Sequence, residues 1–462
     1  MLPVDAITDG WDLLIVLAVV VVGWAYFLLS TAVLIWAERR IVARMQSRLG
    51  PNRLGPWGIL QTLADGAKFF FKEDILPKGV DKPVYFAAPL VSAIIAMVTF
   101  AVIPIGGDFA LAGRDISLQI WDPEIGMLWP LATGSLAVYG IVLAGWSSGS
   151  KYPLLGGVRS SAQMISYELS MGLAVGAVFI YTGSLRVSDI VAAQQGSLIT
   201  DSIPILNLIP AWHLVPMFPA FVLFFIAATA EIQRPPFDLP EAEGELVGGF
   251  NTEYSAAKFA MFFLAEFMNV ITMSAIIVTM FLGGPSGPVP AGDGWLATTA
   301  QIVLPIVYFT AKVWVFVFIY IWMRGSLPRF RYDRLMTLGW KVMLPLGIAW
   351  VFLTGFAVVI RSWARTVDDP LPTLGTWAAI IIGVAVLLYL VSPLFASRED
   401  AEVEPAAGSG GSGGGGGGSP VRTDPGTAPG GSQVTEPGRA DDAHDLPDDD
   451  ADVDTSRPAG VT

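Results

Sequence analysis

Cysteine is missing from this chain of 462 residues, and histidine occurs only twice, at His213 and His444. Without thiolates the chain can form neither a disulfide nor an iron–sulfur cluster of the usual kind. Because one of the two histidines lies in the C-terminal tail, the chain also cannot provide paired histidines for a haem inside a helical bundle. We therefore expect no conventional redox centre in this chain.

Charged residues are scarce as well: they make up 15% of the sequence, against about a quarter in soluble domains. Apolar residues make up 53%, and the mean hydropathy is +0.59. Apolar runs of about 18 residues or more recur along the chain, which is long enough for a helix to span a bilayer. The sequence predicts an all-α polytopic membrane protein with about nine transmembrane helices plus an interfacial amphipathic helix. The predicted spans are residues 11–37, 85–105, 126–147, 163–183, 213–231, 257–283, 298–323, 341–361 and 375–396.

Lysine and arginine are unevenly distributed among the connections between these spans. The connection 38–84 contains nine of them and the connection 324–340 contains four, and parity puts both on the same side of the membrane. The connections on the other side contain only Arg114, Arg186, Arg361 and Arg365. Because Lys and Arg accumulate in cytoplasmic loops, we expect a multi-pass protein with its N-terminus outside and its C-terminal tail in the cytoplasm.

The first cytoplasmic connection contains a helical pattern of its own. In WGILQTLADGAKFFFKEDI, apolar residues recur at helical spacing, while Asp65, Lys68 and Lys72 fall on the opposite side. This pattern predicts an amphipathic helix that lies in the membrane interface. A helix packed on another subunit would show the same pattern and remains the alternative.

The C-terminal tail differs in composition from the rest of the chain. From Arg398 onward it contains fourteen acidic and four basic residues, a net charge of −10 out of −13 for the whole chain. It is rich in glycine and poor in apolar residues, so it cannot bury a core. We expect a transmembrane domain over residues 1–396 and a disordered, acidic, Gly-rich cytoplasmic tail over residues 397–462.

Residues 230–255, AEIQRPPFDLPEAEGELVGGFNTEYS, bring six carboxylates together next to a predicted span, with Arg234 as their only base. The acidic residues are Glu231, Asp238, Glu241, Glu243, Glu245 and Glu253. The residues between them are apolar or form tight turns, which a freely solvated loop would not need. Crowding in a medium of low dielectric disfavours ionisation, so such a cluster is expected to take up and release protons as a group. A plain solvated loop is the alternative.

Further ionisable residues fall inside the predicted spans or at their ends. Glu168, Glu266 and Lys312 lie within apolar runs, and Glu38 closes the first span just before two arginines. Charges at membrane depth are costly and usually face the interior of a bundle, on an ion or proton path. A single one is often a paired structural residue, whereas four of them beside an acidic cluster indicate such a path.

Four blocks together resemble one known family. They are ERRIVARMQSRLGPNRLGPWGILQTLADGAKFFFKED (38–74), AQMISYELSMG (162–172), the stretch 230–255 and RGSLPRFRYDRLMTLGWKVMLPL (324–346). They are similar to the signature segments of the H subunit of the proton-translocating NADH:quinone oxidoreductase, respiratory complex I, whose mitochondrial counterpart is NADH dehydrogenase subunit 1. The resemblance covers residues 30–361, with the blocks in the family's order and spacing.

The resemblance implies a heel subunit in a bacterial cell membrane that joins the membrane arm of the complex to its peripheral arm. Such a subunit forms most of the quinone chamber with two peripheral subunits, and it starts the path that couples quinone reduction to proton translocation. Its partners are peripheral iron–sulfur and quinone-module subunits, adjacent membrane-arm subunits and the bilayer, with no nucleic acid. FMN and the Fe–S clusters belong to partner subunits, and the quinone is a substrate, expected to be menaquinone because the tail is of an actinobacterial kind.

The resemblance also assigns roles by position, with no catalytic residue and no metal in this chain. It implies quinone-binding roles for Arg39, Arg48, Phe237, Arg324 and Arg329. It implies places on the proton or coupling path for Glu38, Glu168, Glu231, Asp238, Glu241, Glu243, Glu245, Glu253 and Glu266. The isoprenoid tail would slide on an apolar surface such as residues 69–71. For the arginines, membrane topology and contacts with lipid phosphates are the alternative.

Three other functions fit parts of the sequence. The nearest is the homologous membrane subunit of a membrane-bound hydrogenase-type complex, which shares the heel fold. The complete blocks RPPFDLPEAEGELVGGFNTEYS and RFRYDRLM favour the quinone enzyme. A secondary transporter would be expected to show inverted repeats, which the sequence lacks, and a structural anchor would leave the acidic cluster unexplained.

Overall fold

The computed structural model describes residues 10–111, 114–196, 211–238, 247–290 and 295–365. The predicted ninth span and tail (375–396 and 397–462) lie outside these ranges, as do Glu241, Glu243 and Glu245. The elements, in chain order, are α1 (Gly10–Met45), α2 (Gln61–Phe71), α3 (Lys82–Thr99), β1 (Asp108–Leu111), β2 (Arg114–Ser117), α4 (Leu128–Ser147), α5 (Lys151–Thr182), α6 (Val187–Ala192), α7 (Phe218–Glu231), α8 (Ala256–Phe281), α9 (Trp295–Ser326), α10 (Tyr332–Thr337) and α11 (Leu344–Arg365).

The predicted all-α membrane architecture is confirmed. Seven helices of the described residues are long and apolar enough to cross a membrane, and α7 is a shorter apolar helix. A six-residue π-helical segment, Leu338–Met343, joins α10 to α11, so that Tyr332–Ser362 acts as one span. Two neighbouring strands, β1 and β2, pair as an antiparallel hairpin between α3 and α4.

Helix α8 is the centre of the bundle. Every residue from Val270 to Phe281 is buried, so the helix packs against protein on all sides rather than along one face. A helix that is apolar all round is expected in such a position. Helices α1, α2, α3, α6, α7 and α9 contact α8, and Glu266 is therefore carried on the most enclosed of the candidate spans.

Helix α7 ends before it could cross a membrane. Its 14 residues correspond to about 21 Å, whereas the hydrocarbon core of a bilayer is about 30 Å thick. The chain then continues as an irregular buried turn, and of residues 232–238 only Gln233 is not fully buried. Non-helical backbone is tolerated at membrane depth only where protein encloses it. The carboxylates and arginine of this turn are therefore held by neighbouring helices.

Helix α2 confirms the predicted amphipathic helix in the first connection. It follows a 3₁₀ turn (Pro56–Gly58) in which Trp57 adopts a left-handed φ of 55°, and it lies against α1 through a hydrogen bond from Thr62 Oγ1 to the carbonyl of Ala32 (3.2 Å). Its outward side chains remain open: Phe70 is 81% and Phe71 91% exposed. An exposed apolar face of this kind fits a lipid interface and a partner subunit equally well.

Candidate functional site

Four ionised side chains from separate parts of the chain meet at the end of the bundle where α1 and α9 finish. Arg234 Nη1 donates hydrogen bonds to Glu38 Oε1 (2.8 Å) and Oε2 (2.7 Å). Arg234 Nε lies 2.8 Å from Glu266 Oε1. Arg324 forms a second ion pair with Glu38. We call Glu38, Arg234, Glu266 and Arg324 the ionic cluster.

The ionic cluster is balanced in charge, and its central pair, Arg234 and Glu38, is buried. Only 4% of the Arg234 side chain and 7% of the Glu38 side chain are exposed. Buried charges are tolerated when they are paired and hydrogen-bonded, and here two carboxylates face two guanidinium groups. The Arg234 guanidinium also lies 4.5 Å from the centre of the Phe267 ring, a cation–π contact that strengthens away from water.

The buried turn presents Arg234 because α5 fixes the backbone on both sides of it. Gln163 Nε2 donates to the carbonyl of Ala230 (2.8 Å) and to that of Phe237 (2.9 Å). Buried carbonyls need such partners, and one amide satisfies two of them. The position of Arg234 is therefore set by α5 as well as by its own carboxylates.

A second ion pair lies beside the cluster and borders an open cavity of about 620 Å³. Arg329 Nη2 lies 3.2 Å from Asp238 Oδ2, with the Asp238 side chain 7% exposed. Phe237 stacks on Phe330 with 5.6 Å between ring centres, and the Phe330 amide donates to the carbonyl of Pro236 (2.9 Å). The cavity is lined by Pro236, Leu327, Pro328, Arg329, Phe330, Arg331 and Arg334. We call it the arginine cavity.

Towards the middle of the bundle, a small polar cavity of about 50 Å³ connects Glu266 with Glu231. Glu231 is 5% exposed and closes α7. The polar residues that line the cavity are Ser92, Glu231, Gln233, Asn251, Glu266 and Asn269. A cavity of this size has room for roughly three to five water molecules, and both carboxylates line it.

The remaining predicted residues lie apart from the ionic cluster. Glu168, on α5, accepts a hydrogen bond from Ser135 of α4. Arg39 pairs with Asp65 of α2, and Arg48 Nε donates to Gln46 Oε1 (2.7 Å) on an exposed stretch after α1. Glu253 is half-buried.

Lys312 has a structural environment. Its ammonium donates to the carbonyls of Leu282 (2.8 Å), Gly284 (3.0 Å) and Ser286 (2.9 Å), just after α8 ends. Carbonyls at the end of a helix attract a cation. These three bonds use all three donors of the ammonium and give Lys312 a structural role at the end of α8, while its place on an ion path stays a prediction.

The central residue of the cluster, Arg234, was not among the predicted site residues. The signal that could have identified it is its isolation: it is the only base among six carboxylates, and it directly precedes two prolines. Gln163 and Asp65 gave no comparable signal, because their partners are a backbone carbonyl pair and an arginine distant in sequence. Among the described residues, no group of three or more histidine or acidic side chains could hold a metal ion.

Comparison with known proteins identifies the family of this chain. The sequence pattern of the NADH dehydrogenase family matches residues 16–355. The chain is 47% identical over 403 residues to the H subunit of the NADH-quinone oxidoreductase of Frankia casuarinae, covering 86% of this chain and 83% of that protein. It is 46% identical over 388 residues to the corresponding H subunit of Frankia alni, covering 83% and 80%. The chain therefore belongs to the NADH dehydrogenase family, as an H-type membrane subunit of an NADH–quinone oxidoreductase complex.

Proposed function

We propose that this chain forms the membrane side of the quinone chamber and that the ionic cluster is the first element of the coupling path. The observation that carries the proposal is that Arg329, which pairs with the buried Asp238, lines the arginine cavity, while Arg324 of the same connection pairs with the buried Glu38. Arg324 and Arg329 are 41% and 47% exposed, while their partners Glu38 and Asp238 are each 7% exposed. Each arginine thus joins a buried acid to the open side of the site.

This arrangement responds to charge in the chamber. Quinone reduction adds up to two negative charges, and guanidinium groups stabilise developing charge where water is scarce. An arginine attracted towards the quinone interacts less with Glu38 or Asp238. The acid that is left behind in low dielectric then favours its protonated form. Reduction in the chamber is thereby converted into proton uptake at the cluster.

The route onward follows the carboxylates that the fold brings close together. From Glu38 the contacts run through Arg234 to Glu266, across the polar cavity to Glu231, and towards Glu168 on α5. Each step as far as Glu231 uses a paired charge or the polar cavity, and Glu168 accepts a hydrogen bond from Ser135 of α4. The predicted acids Glu241, Glu243 and Glu245 lie outside the described residues, and their place on this path stays a prediction.

The same proposal includes the assembly around the chain. We expect menaquinone as the substrate, FMN and Fe–S clusters in partner subunits, and peripheral subunits that complete the chamber above Phe237 and Phe330. We expect a partner subunit to deliver the electrons to the quinone, whereas this chain provides charged side chains and part of the chamber wall. The N-terminus is expected outside and the C-terminal tail in the cytoplasm.

The hydrogenase-type alternative differs in a measurable way. Both relatives carry names that specify NADH and quinone, and this favours the quinone reaction for the present chain. Purification of the native assembly from its own membranes separates the two. A particle with flavin and inhibitor-sensitive NADH:quinone activity supports the proposal, whereas a particle with a NiFe centre and no NADH activity refutes it.

Substitutions in the arginine cavity test the chamber itself. We expect Arg329→Gln to lower inhibitor-sensitive quinone reduction by roughly ten- to a hundredfold, because it removes a donor that stabilises the charge developing on the quinone. The loss should be smaller than for a fully enclosed donor, because Arg329 is half-exposed. NADH oxidation by ferricyanide bypasses the quinone and should not change. Arg361→Gln, an exposed arginine of α11, is the matched control. Unchanged quinone turnover in Arg329→Gln, with the particle intact, would remove the arginine cavity from the reaction.

A further inference from the structure

We propose that Lys258 and Asp74 form a clamp that sets the orientation of the amphipathic helix α2, and through it the access of a long-tailed quinone to the chamber. The inference rests on the proposed function. Lys258 was not singled out by its sequence, and it contacts neither the ionic cluster nor the arginine cavity. It is a positioning residue, which acts through the segment it holds.

Lys258 lies in an unusual position for a lysine. Its side chain is 8% exposed, and it belongs to the first turn of α8, where the helix dipole disfavours a positive charge. Asp74 compensates: its Oδ1 lies 2.8 Å from the ammonium. The rings of Tyr85 and Phe86 lie on further sides of the ammonium, each with its centre 4.8 Å away.

The pairing ties the segment that leaves α2 to the beginning of α8. The amide of Ile75 donates to Ser255 Oγ (2.8 Å). The Ser255 hydroxyl lies 3.2 Å from both Asp74 Oδ1 and the carbonyl of Ile75 and can donate to either. Ser255 directly precedes α8. Two consecutive residues of the segment after α2 are thus held: Asp74 by its ion pair with Lys258, and Ile75 by hydrogen bonds between its backbone and the Ser255 hydroxyl.

The same lysine also faces the end of the acidic stretch. Tyr85, one of the rings beside the ammonium, donates its hydroxyl to the carbonyl of Glu253 (2.6 Å). Tyr85 stacks on Tyr254 with 4.2 Å between ring centres. The clamp therefore connects three elements: the end of α2, the start of α3 and the last residues of the stretch that carries the coupling acids.

The orientation of α2 depends on few other contacts. Midway along the helix, Asp65 pairs with Arg39 of α1, and Phe69 lies 6.2 Å from the Phe259 ring of α8. The outer face of α2 is open at Phe70 and Phe71. An apolar residue in place of Lys258 would pack without the cost of a buried charge. We infer that the charge is retained for register: Arg39–Asp65 and the bond from Thr62 to Ala32 hold the helix itself, and Lys258 holds the segment that follows it, so that together they set the direction of the helix along which the quinone tail moves.

Kinetics with two quinones distinguish positioning from general stability. In the native particle we expect Lys258→Met and Asp74→Asn each to raise KM for a long-tailed quinone by roughly three- to tenfold, with kcat nearly unchanged, because alignment of the tail is weakened before the chemical step. KM for a short-tailed quinone should change little. Asp74 is 48% exposed, so Asp74→Glu should keep the pair and the wild-type KM.

Two further variants serve as controls. Lys82→Met, at an exposed lysine that begins α3, should leave both KM values unchanged. The double variant Lys258→Met/Asp74→Asn should be no worse than either single variant, since the two residues act as a pair. Unchanged KM in Asp74→Asn, additive effects in the double variant, or equal losses with both quinones would overturn the clamp. If Arg329→Gln impairs quinone reduction while Asp74→Asn does not, only the clamp fails; if neither has an effect, the proposed chamber fails.

Discussion

Replacement of Arg234 by methionine is the most informative perturbation of the ionic cluster. Methionine has a similar length and no charge, so it removes the ion pairs to Glu38 and Glu266 while it preserves most of the packing volume. Glu38 keeps Arg324, which is half-exposed, but Glu266 loses the partner at 2.8 Å. The variant therefore leaves buried carboxylates with too little positive charge.

The loss of stability expected for Arg234→Met follows from the burial of its ion pairs. Removal of one partner of a buried ion pair costs about 3–5 kcal/mol, because the remaining charge is left without compensation. Arg234 is 4% exposed and pairs with two acids, so we expect a value near the upper end of this range. The Arg186–Asp122 pair, between Nε and Oδ2 at 2.8 Å, has an arginine that is 46% exposed, and an exposed pair contributes about 0–1 kcal/mol. Arg186→Met is therefore the matched control.

The assay has two readouts. The first is the amount of chain recovered in the assembled particle and the temperature at which the particle dissociates, both of which should fall for Arg234→Met and stay near wild type for Arg186→Met. The second is inhibitor-sensitive quinone reduction per particle, normalised to NADH:ferricyanide activity. Glu38→Gln combined with Arg234→Met should recover part of the lost stability, because both buried charges are removed together. Wild-type dissociation temperature and turnover in Arg234→Met would refute the account of the cluster.

Other substitutions give smaller or more selective effects. Asp238→Asn should lower coupled quinone reduction several-fold while assembly stays mostly intact, because it weakens the hold on Arg329; the ratio of quinone to ferricyanide activity measures this. Glu241→Gln, outside the described residues, is expected to act in the same way. Gln163→Leu leaves the carbonyl of Phe237 without its side-chain donor, at about 1–3 kcal/mol, while the carbonyl of Ala230 keeps the amide of Gln233 (3.2 Å); the variant should lower the dissociation temperature of the particle. Burial raises the pKa of Tyr254 from 10.0 to about 12. The stability that its neutral hydroxyl contributes to the particle is therefore present below pH 10 and is lost as the pH rises towards 12. Tyr254→Phe should remove this loss, which is measured as particle stability against pH.

The spans were predictable because apolar length alone determines them. The runs that begin near residues 85, 126, 257 and 298 all became helices close to the expected bounds. The predicted helix ends were wrong where polar residues next to an apolar run are helical as well. Helix α1 continues past residue 37 through the arginines to Met45, and α5 begins at Lys151 rather than at 163. The hydropathy of a segment indicates whether it lies in lipid or in water, whereas its backbone continues as a helix wherever its hydrogen bonds allow.

The site was predictable as a set of residues but not as a set of pairs. The sequence and the family resemblance identified Glu38, Glu266 and Arg324, yet nothing in their spacing shows that Arg234 joins them. They come from three helices and a turn, and such contacts between distant parts of a chain depend on how the helices pack. Lys258 was missed for the same reason, since a lysine beside an apolar run looks like a residue at the membrane surface.

The shortness of α7 has a consequence for biogenesis. A helix of 14 residues is too short to span the hydrocarbon core on its own, and the turn that follows contains an arginine and an aspartate that are costly in lipid. Glu266, on α8, is synthesised after Arg234, with which it pairs. We therefore expect α7 and α8 to integrate together. We expect a nascent chain that lacks either charge to retain an unpaired group at membrane depth and to be degraded before it meets its partner subunits.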